Sequence, residues 1–164
     1  MIPAPLESEG RVRPEWVDYN GHMNVAHYVA AFDRAVDELY DRLGLGRAYA
    51  GERGLSMFAV GADVDWLREM REGEPYRVRT QLLDHDDKRL LYHQTMLRAD
   101  GTPAARVTWL ALHVDLRARR AAPFPPDRLE VVRAAVAAHR GLPVPEGLGR
   151  RLSVRRPCAP ARAD

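Results

Sequence analysis

Seven consecutive residues, Asp18-Tyr19-Asn20-Gly21-His22-Met23-Asn24, gather a carboxylate, two amides, an imidazole and a glycine immediately ahead of a long amphipathic segment. The first backbone N–H groups of a helix lack partners within it and form its positive dipole end, so negative charge is stabilised there. A base beside such donors suits acyl transfer to water. Asp18 would activate water or attack a carbonyl, while amides at the helix start would hold the developing oxyanion. Asn20 and His22 would ligate or orient the water or polarise the carbonyl. Each residue also has a plainer role: Asp18 in a turn, Asn20 and Asn24 in an Asx turn or cap, and His22 donating to a loop carbonyl. Gly21 supplies backbone freedom.

Other chemistry-bearing residues are less suggestive. His27 follows His22 by five positions, a poor spacing for two ligands on one helix face, so no metal is expected. His113 and Asp115 share a strand face without an evident third ligand, which points to a structural pair. Cys158 has no histidine near it in sequence. Trp16, Tyr19 and Tyr28 cluster around the polar loop, and Trp66 and Trp109 lie on strands. Aromatic faces can hold a quaternary ammonium group through cation–π attraction, which makes Trp16 and Tyr19 candidates for a substrate cage.

The positioning elements follow from periodicity. Arg11 to Asp18 reads as a first strand leading into the loop. From Val25 to Leu43 the residues Tyr28, Val29, Phe32, Ala35, Val36, Leu39 and Tyr40 keep helical spacing, with Asn24 as N-cap and Gly44 as the stop. After the connection Gly44–Gly54 the period becomes two: Phe58, Val60, Ala62, Val64 and Trp66 lie on one parity. Turns at Glu72–Pro75, Asp84–Asp87 and Asp100–Pro103 separate three further strands, and short turns favour antiparallel neighbours. Asp127 to His139 reads as a short closing helix.

With 164 residues, 46% of them hydrophobic and 29% charged, the chain suits one ordinary globular domain over residues 1–140 and a Pro/Arg-rich tail, expected to be disordered, over 141–164. That tail carries five arginines against Glu146 and Asp164. The surplus accounts for more than the whole net charge of +2 and leaves the body slightly acidic. No nucleic-acid-reading motif and no apolar run long enough to span a bilayer is visible. A single cysteine and a start without a signal-like apolar stretch lead us to expect a cytoplasmic protein without nucleic-acid or membrane partners.

The segment Asp18–Phe32, DYNGHMNVAHYVAAF, resembles the signature of the hotdog-fold acyl-CoA thioesterases, the 4-hydroxybenzoyl-CoA thioesterase-like family. There an acidic residue precedes G-H-[VM]-N and the central helix, with a Tyr and a Phe one and two turns in. The likeness covers roughly residues 8 to 120. Asp87-Lys88-Arg89-Leu90, His93, Leu112-His113-Val114-Asp115 and Arg119-Arg120-Ala121-Ala122-Pro123 resemble, more narrowly, the betainyl-CoA thioesterase group.

The resemblance implies an α+β hotdog fold, in which an antiparallel sheet of about five strands wraps one long central helix, with a short C-terminal helix added. It implies hydrolysis of a small acyl-CoA, betainyl-CoA on the narrower likeness, without a cofactor and at sites between two subunits, so a homodimer or homotetramer. Asp18 takes the place of the family's acid and the Val25 amide that of its oxyanion donor, with Trp16, Tyr19 and Asn24 lining the substrate site. Some relatives carry the acid on the central helix, for which Glu38 lies too far along. Others use Asn and His ahead of the helix, as Asn20 and His22 would, so the division of work among Asp18, Asn20 and His22 stays open. Lys88 and Arg89 are either a solvated pair or contacts for the CoA phosphates. A hotdog hydratase or dehydratase and a non-catalytic acyl-CoA-binding protein are the rival readings, though the D-x-N-P-x-H pattern of the former is absent here.

Overall fold

A computed structural model describes residues 4–149. Strand β1 (Leu6–Arg11) leads through a 3-10 turn at Pro14–Trp16 and the polar loop into helix α1 (Val25–Leu43). A short helix α2 (Arg47–Arg53) follows, then β2 (Leu55–Trp66), β3 (Pro75–His85), β4 (Arg89–Arg98), β5 (Pro103–Asp115), a two-residue β6 (Arg120–Ala121) and helix α3 (Pro126–His139). The strands form one antiparallel sheet in the order β1-β3-β4-β5-β2, with β6 added beside β5.

Helix α1 has the bounds its sequence predicts. Asn24 Oδ1 accepts the Ala26 amide at its start, and Gly44 ends it in a left-handed conformation (φ 66°). Its buried face, Tyr28, Ala31, Phe32, Ala35, Val36, Leu39 and Leu43, packs against the inward parity of the sheet: Val78 and Leu82 on β3, Leu90, Tyr92 and Met96 on β4, and Val107 and Trp109 on β5.

Three local expectations need correction. Arg11–Asp18 is not a strand: pairing ends at Arg11, because Pro14 has no N–H for a ladder and its fixed φ starts the 3-10 turn instead. The strand lies earlier, where Gly10 opposite Tyr76 leaves room for that ring. The connection Gly44–Gly54 contains α2, anchored by the buried Tyr49. On β2 the alternating apolar residues other than Val64 do not face the core. Phe58, Val60 and Trp66 are exposed, and a bulge between Ala59 and Gly61 breaks the parity.

Residues 141–149 leave α3 along the outer face of the sheet, where Gln81 Nε2 donates to the Pro143 carbonyl and Arg106 faces Glu146 at 3.9 Å. The remainder of the expected disordered tail, including Cys158, lies outside the described residues.

His93, on the outer parity of β4, is 3% exposed, with Nδ1 2.9 Å from Thr108 Oγ1 and no partner for Nε2 among the described residues. Burial, reinforced by Arg106 and opposed by Asp63 and Asp65, pushes its pKa down to about 4. The unfolded chain takes up this proton near pH 6.5, whereas the native state does so only near 4. The contribution to stability is therefore complete above that upper value and falls away as the pH drops toward 4. We expect a loss on the order of 3 kcal/mol across that window. Urea midpoints measured against pH should show this acid limb in the wild type and a flatter one in His93→Asn.

Candidate active site

The loop before α1 is closed by its own backbone. Val17 and Met23 form an antiparallel bridge, the Asp18 amide donates to the His22 carbonyl, and the Gly21 amide donates back to the Asp18 carbonyl. Gly21 sits at φ 78°, where a side chain would be strained. The loop is pinned from outside as well: the Met23 amide donates to the Met70 carbonyl and the Asn24 amide to the Trp16 carbonyl. Tyr28, one turn into the helix, accepts from the Met70 amide and donates to the Arg68 carbonyl. Its predicted place near the loop is real, and its hydroxyl is a structural tie.

Asp18 is the hub of the loop. Oδ1 accepts the Asn20 amide at 2.8 Å and Oδ2 accepts Asn24 Nδ2 at 2.9 Å. These donors, the Asn20 backbone first and the Asn24 side chain second, hold the Asp18 carboxyl below its ordinary value, with His22 adding to the effect. The partial desolvation that would make it more basic is outweighed in the single chain. Asp18 therefore stands as an ionised, oriented carboxylate.

Asn24 does two jobs, capping α1 through Oδ1 and orienting Asp18 through Nδ2. The Ala26 amide goes to that cap and the His27 amide to the Asn24 carbonyl. For the Val25 amide, at the first helical position, no acceptor is found among the described residues. A carboxylate and a free helix-start donor thus lie within one short stretch of chain. His22 Nδ1 lies 3.2 Å from the Met23 carbonyl, which can only accept, so Nδ1 donates to it.

The remaining candidates separate. Trp16 is buried, stacked on His27 at 5.5 Å between centroids and covered by the Arg34 guanidinium at 4.9 Å, so it packs the helix start and is not open to substrate. Tyr19 is 97% exposed, and Val25 is exposed too. The proposed cage of Trp16 and Tyr19 therefore does not form within one chain. Glu38 accepts from Ser8 Oγ of β1. His113 is buried with both ring nitrogens engaged, by the Ala122 carbonyl and the Tyr49 hydroxyl, while Asp115 holds the Arg117 and Ala118 amides. Arg89 binds Asp86. No metal-ligating group of three or more occurs among the described residues.

Sequence reasoning missed the surroundings of the loop. Trp66 Nε1 donates to the Val25 carbonyl, tying the end of β2 to the helix start. Tyr19, Val25, Phe58, Val60 and Trp66, on the loop, the helix start and β2, are large apolar side chains left exposed. β2 is also a free edge of the sheet over twelve residues.

Residues 12–136 match the family model described as the thioesterase-like superfamily. The chain belongs to that superfamily. Among similar proteins is a betainyl-CoA thioesterase of Pseudomonas aeruginosa, 44% identical over 143 residues that make up 87% of this chain and 90% of the relative. An L-carnitine dehydrogenase/betainyl-CoA thioesterase of Agrobacterium fabrum is 36% identical over 86% of this chain, which spans only 29% of that longer protein. A Staphylococcus aureus protein solved in complex with CoA shares the fold (TM-score 0.87, 24% identity, 94% of this chain and 98% of that one). A Pseudomonas putida structure described as a candidate thioesterase is 33% identical with a TM-score of 0.81, covering 95% of this chain and all of that one. This thioesterase has the hotdog architecture and is an acyl-CoA thioester hydrolase. No helix of the described residues is long and apolar enough to cross a membrane.

Proposed function

We propose that this thioesterase hydrolyses betainyl-CoA to betaine and CoA, with Asp18 as the catalytic carboxylate and the Val25 amide as oxyanion donor. The observation that supports the mechanism is the hydrogen-bonded Asp18 beside a helix-start amide for which no acceptor is found among the described residues. The substrate rests on the similarity to the Pseudomonas betainyl-CoA thioesterase. Asp18, ionised, takes a proton from water or attacks the thioester carbonyl; negative charge gathers on the carbonyl oxygen and meets the Val25 N–H. The CoA thiolate then departs. Asn24 orients the carboxylate, and Asn20 and His22 line the approach.

The enzyme works as a homodimer or a larger assembly of such dimers. The unpaired β2 edge and its exposed Phe58, Val60 and Trp66 support a two-fold contact along that strand. A CoA thioester substrate and the single cysteine fit the cytoplasm. Free-thiol release over betainyl-, short linear, aromatic and hydroxylated acyl-CoAs tests the substrate. We expect the highest kcat/KM on betainyl-CoA; turnover of aromatic acyl-CoAs alone overturns the reading.

A further inference from the structure

We propose that the cavity between the C-terminal half of α1 and the start of β2 is the subsite for a quaternary ammonium headgroup, serving the Asp18 of a second copy of the chain. This rests on the betainyl-CoA reading and deepens it by naming the residues that would recognise the cation. The cavity, about 330 Å³, is walled by Asp33, Asp37 and Tyr40 of α1, Met57 of β2, Tyr92 of β4 and Trp109 of β5.

The lining has the chemistry that such a group demands. A quaternary ammonium offers no N–H, so it is held by aromatic faces and nearby negative charge, not by directed hydrogen bonds. Its methyl groups also want apolar contact, which Met57 supplies. Tyr40 is the half-buried ring that presents an aromatic surface, and the buried Tyr92 and Trp109 back it and fix its place. Tyr40 and Tyr92 meet edge to face at 83° with their hydroxyls 3.2 Å apart, and Trp109 is pinned by Nε1 donating to Gln94 Oε1 at 2.8 Å. Asp33 and Asp37 lie four residues apart, on one face of the helix. Neither forms an ion pair among the described residues, and Arg47, which also lines the cavity, pairs with neither. Burial and the neighbouring Asp37 raise the Asp33 carboxyl above its ordinary value. A bound cation would relieve both effects.

Reach decides which Asp18 is served. Nine residues of helix separate the Asn24 cap from Asp33, about 13 Å at the α-helical rise. A betainyl group has one methylene between carbonyl and nitrogen and cannot bridge that distance within one chain. A second copy paired antiparallel along β2, about the bulge at Ala59–Gly61, turns the strand end for end. Its Trp66 end, which carries the Val25 carbonyl and hence the catalytic loop, then lies beside the Leu55–Met57 end that walls this cavity.

The test compares betainyl-CoA with tert-butylacetyl-CoA, the same shape with carbon in place of charged nitrogen. Thiol release is measured on wild type, on Asp33→Asn/Asp37→Asn, and on Tyr40→Leu as a second variant that keeps both carboxylates. We expect wild type to favour betainyl-CoA about tenfold or more in kcat/KM. The carboxamide variant should raise KM for betainyl-CoA by about as much while its kinetics on the neutral analogue stay within roughly twofold, and Tyr40→Leu should shift the ratio the same way. Equal use of the two substrates by wild type overturns the subsite and leaves the betainyl reading standing. So does betainyl turnover that neither variant changes. Loss of both substrates alike in the carboxamide variant, with Tyr40→Leu leaving the ratio unchanged, assigns the carboxylates to hydrolysis or assembly and also overturns it. No betainyl turnover at all defeats the substrate reading and the subsite together.

Discussion

Asp18→Asn is expected to lower kcat on the cognate acyl-CoA by about 10²- to 10⁴-fold, the usual contribution of a positioned proton-transfer group, while the protein stays folded and assembled. The fold should survive because the substitution keeps the shape of the loop. An amide oxygen at the Oδ1 position still accepts the Asn20 amide, and the Val17–Met23 bridge and the Met23–Met70 bond do not involve the side chain. One contact changes sign: Asn24 Nδ2 would face an amide nitrogen where it now meets Oδ2. The cost to folding should be small, since the site is open to water and solvent can satisfy both groups. Because hydrogen bonds hold the Asp18 carboxyl below 3.8 in the single chain, any acid limb of the free-enzyme kcat/KM profile that belongs to Asp18 should fall below the ordinary carboxylate range. Thiol release and thermal melts on one preparation decide the matter; full activity in the variant sinks the assignment.

If the proposed dimer forms along β2, Val60→Asp should convert it to single chains and remove activity by about 100-fold or more. Val60 is 54% exposed on the free edge strand, beside Phe58 and at the β2 bulge. In the proposed dimer a carboxylate there would face its own copy across the two-fold, where like charges repel and desolvation adds to the cost. The single chain should lose little stability, within about 0.5 kcal/mol, because the site is solvent-facing in it. Sedimentation velocity with thiol release reads both effects. A monomer with unimpaired turnover would show that one chain carries the whole site.

Much of this molecule was legible locally. The α1 bounds follow from Asn24, Gly44 and an unbroken 3.6-residue apolar repeat, signals held within about twenty residues of chain. The Asp18–Asn24 constellation was legible for the same reason: a loop that bonds mainly to itself needs little from elsewhere. Errors arose where a distant partner decided. β1 ends at Arg11 because Pro14 stops the pairing, and it finds its register on β3, some seventy residues away. Trp16 looked like a substrate contact, but Arg34 and His27 cover it. The β2 alternation was correctly seen as a strand, yet periodicity alone cannot say which face is buried when the strand lies at a sheet edge.

By itself, then, the sequence determined the central helix, the meander and the carboxylate at the helix mouth, because these depend on neighbours in the chain. Only the tertiary structure decided that Trp16 is packed away, that β2 presents an apolar edge, and that Asp33, Asp37, Tyr40, Met57, Tyr92 and Trp109 wall one cavity. Those residues come from four elements spread over nearly eighty positions, and no local pattern encodes their meeting. It arises when the sheet curls around α1 to bury that helix's apolar face.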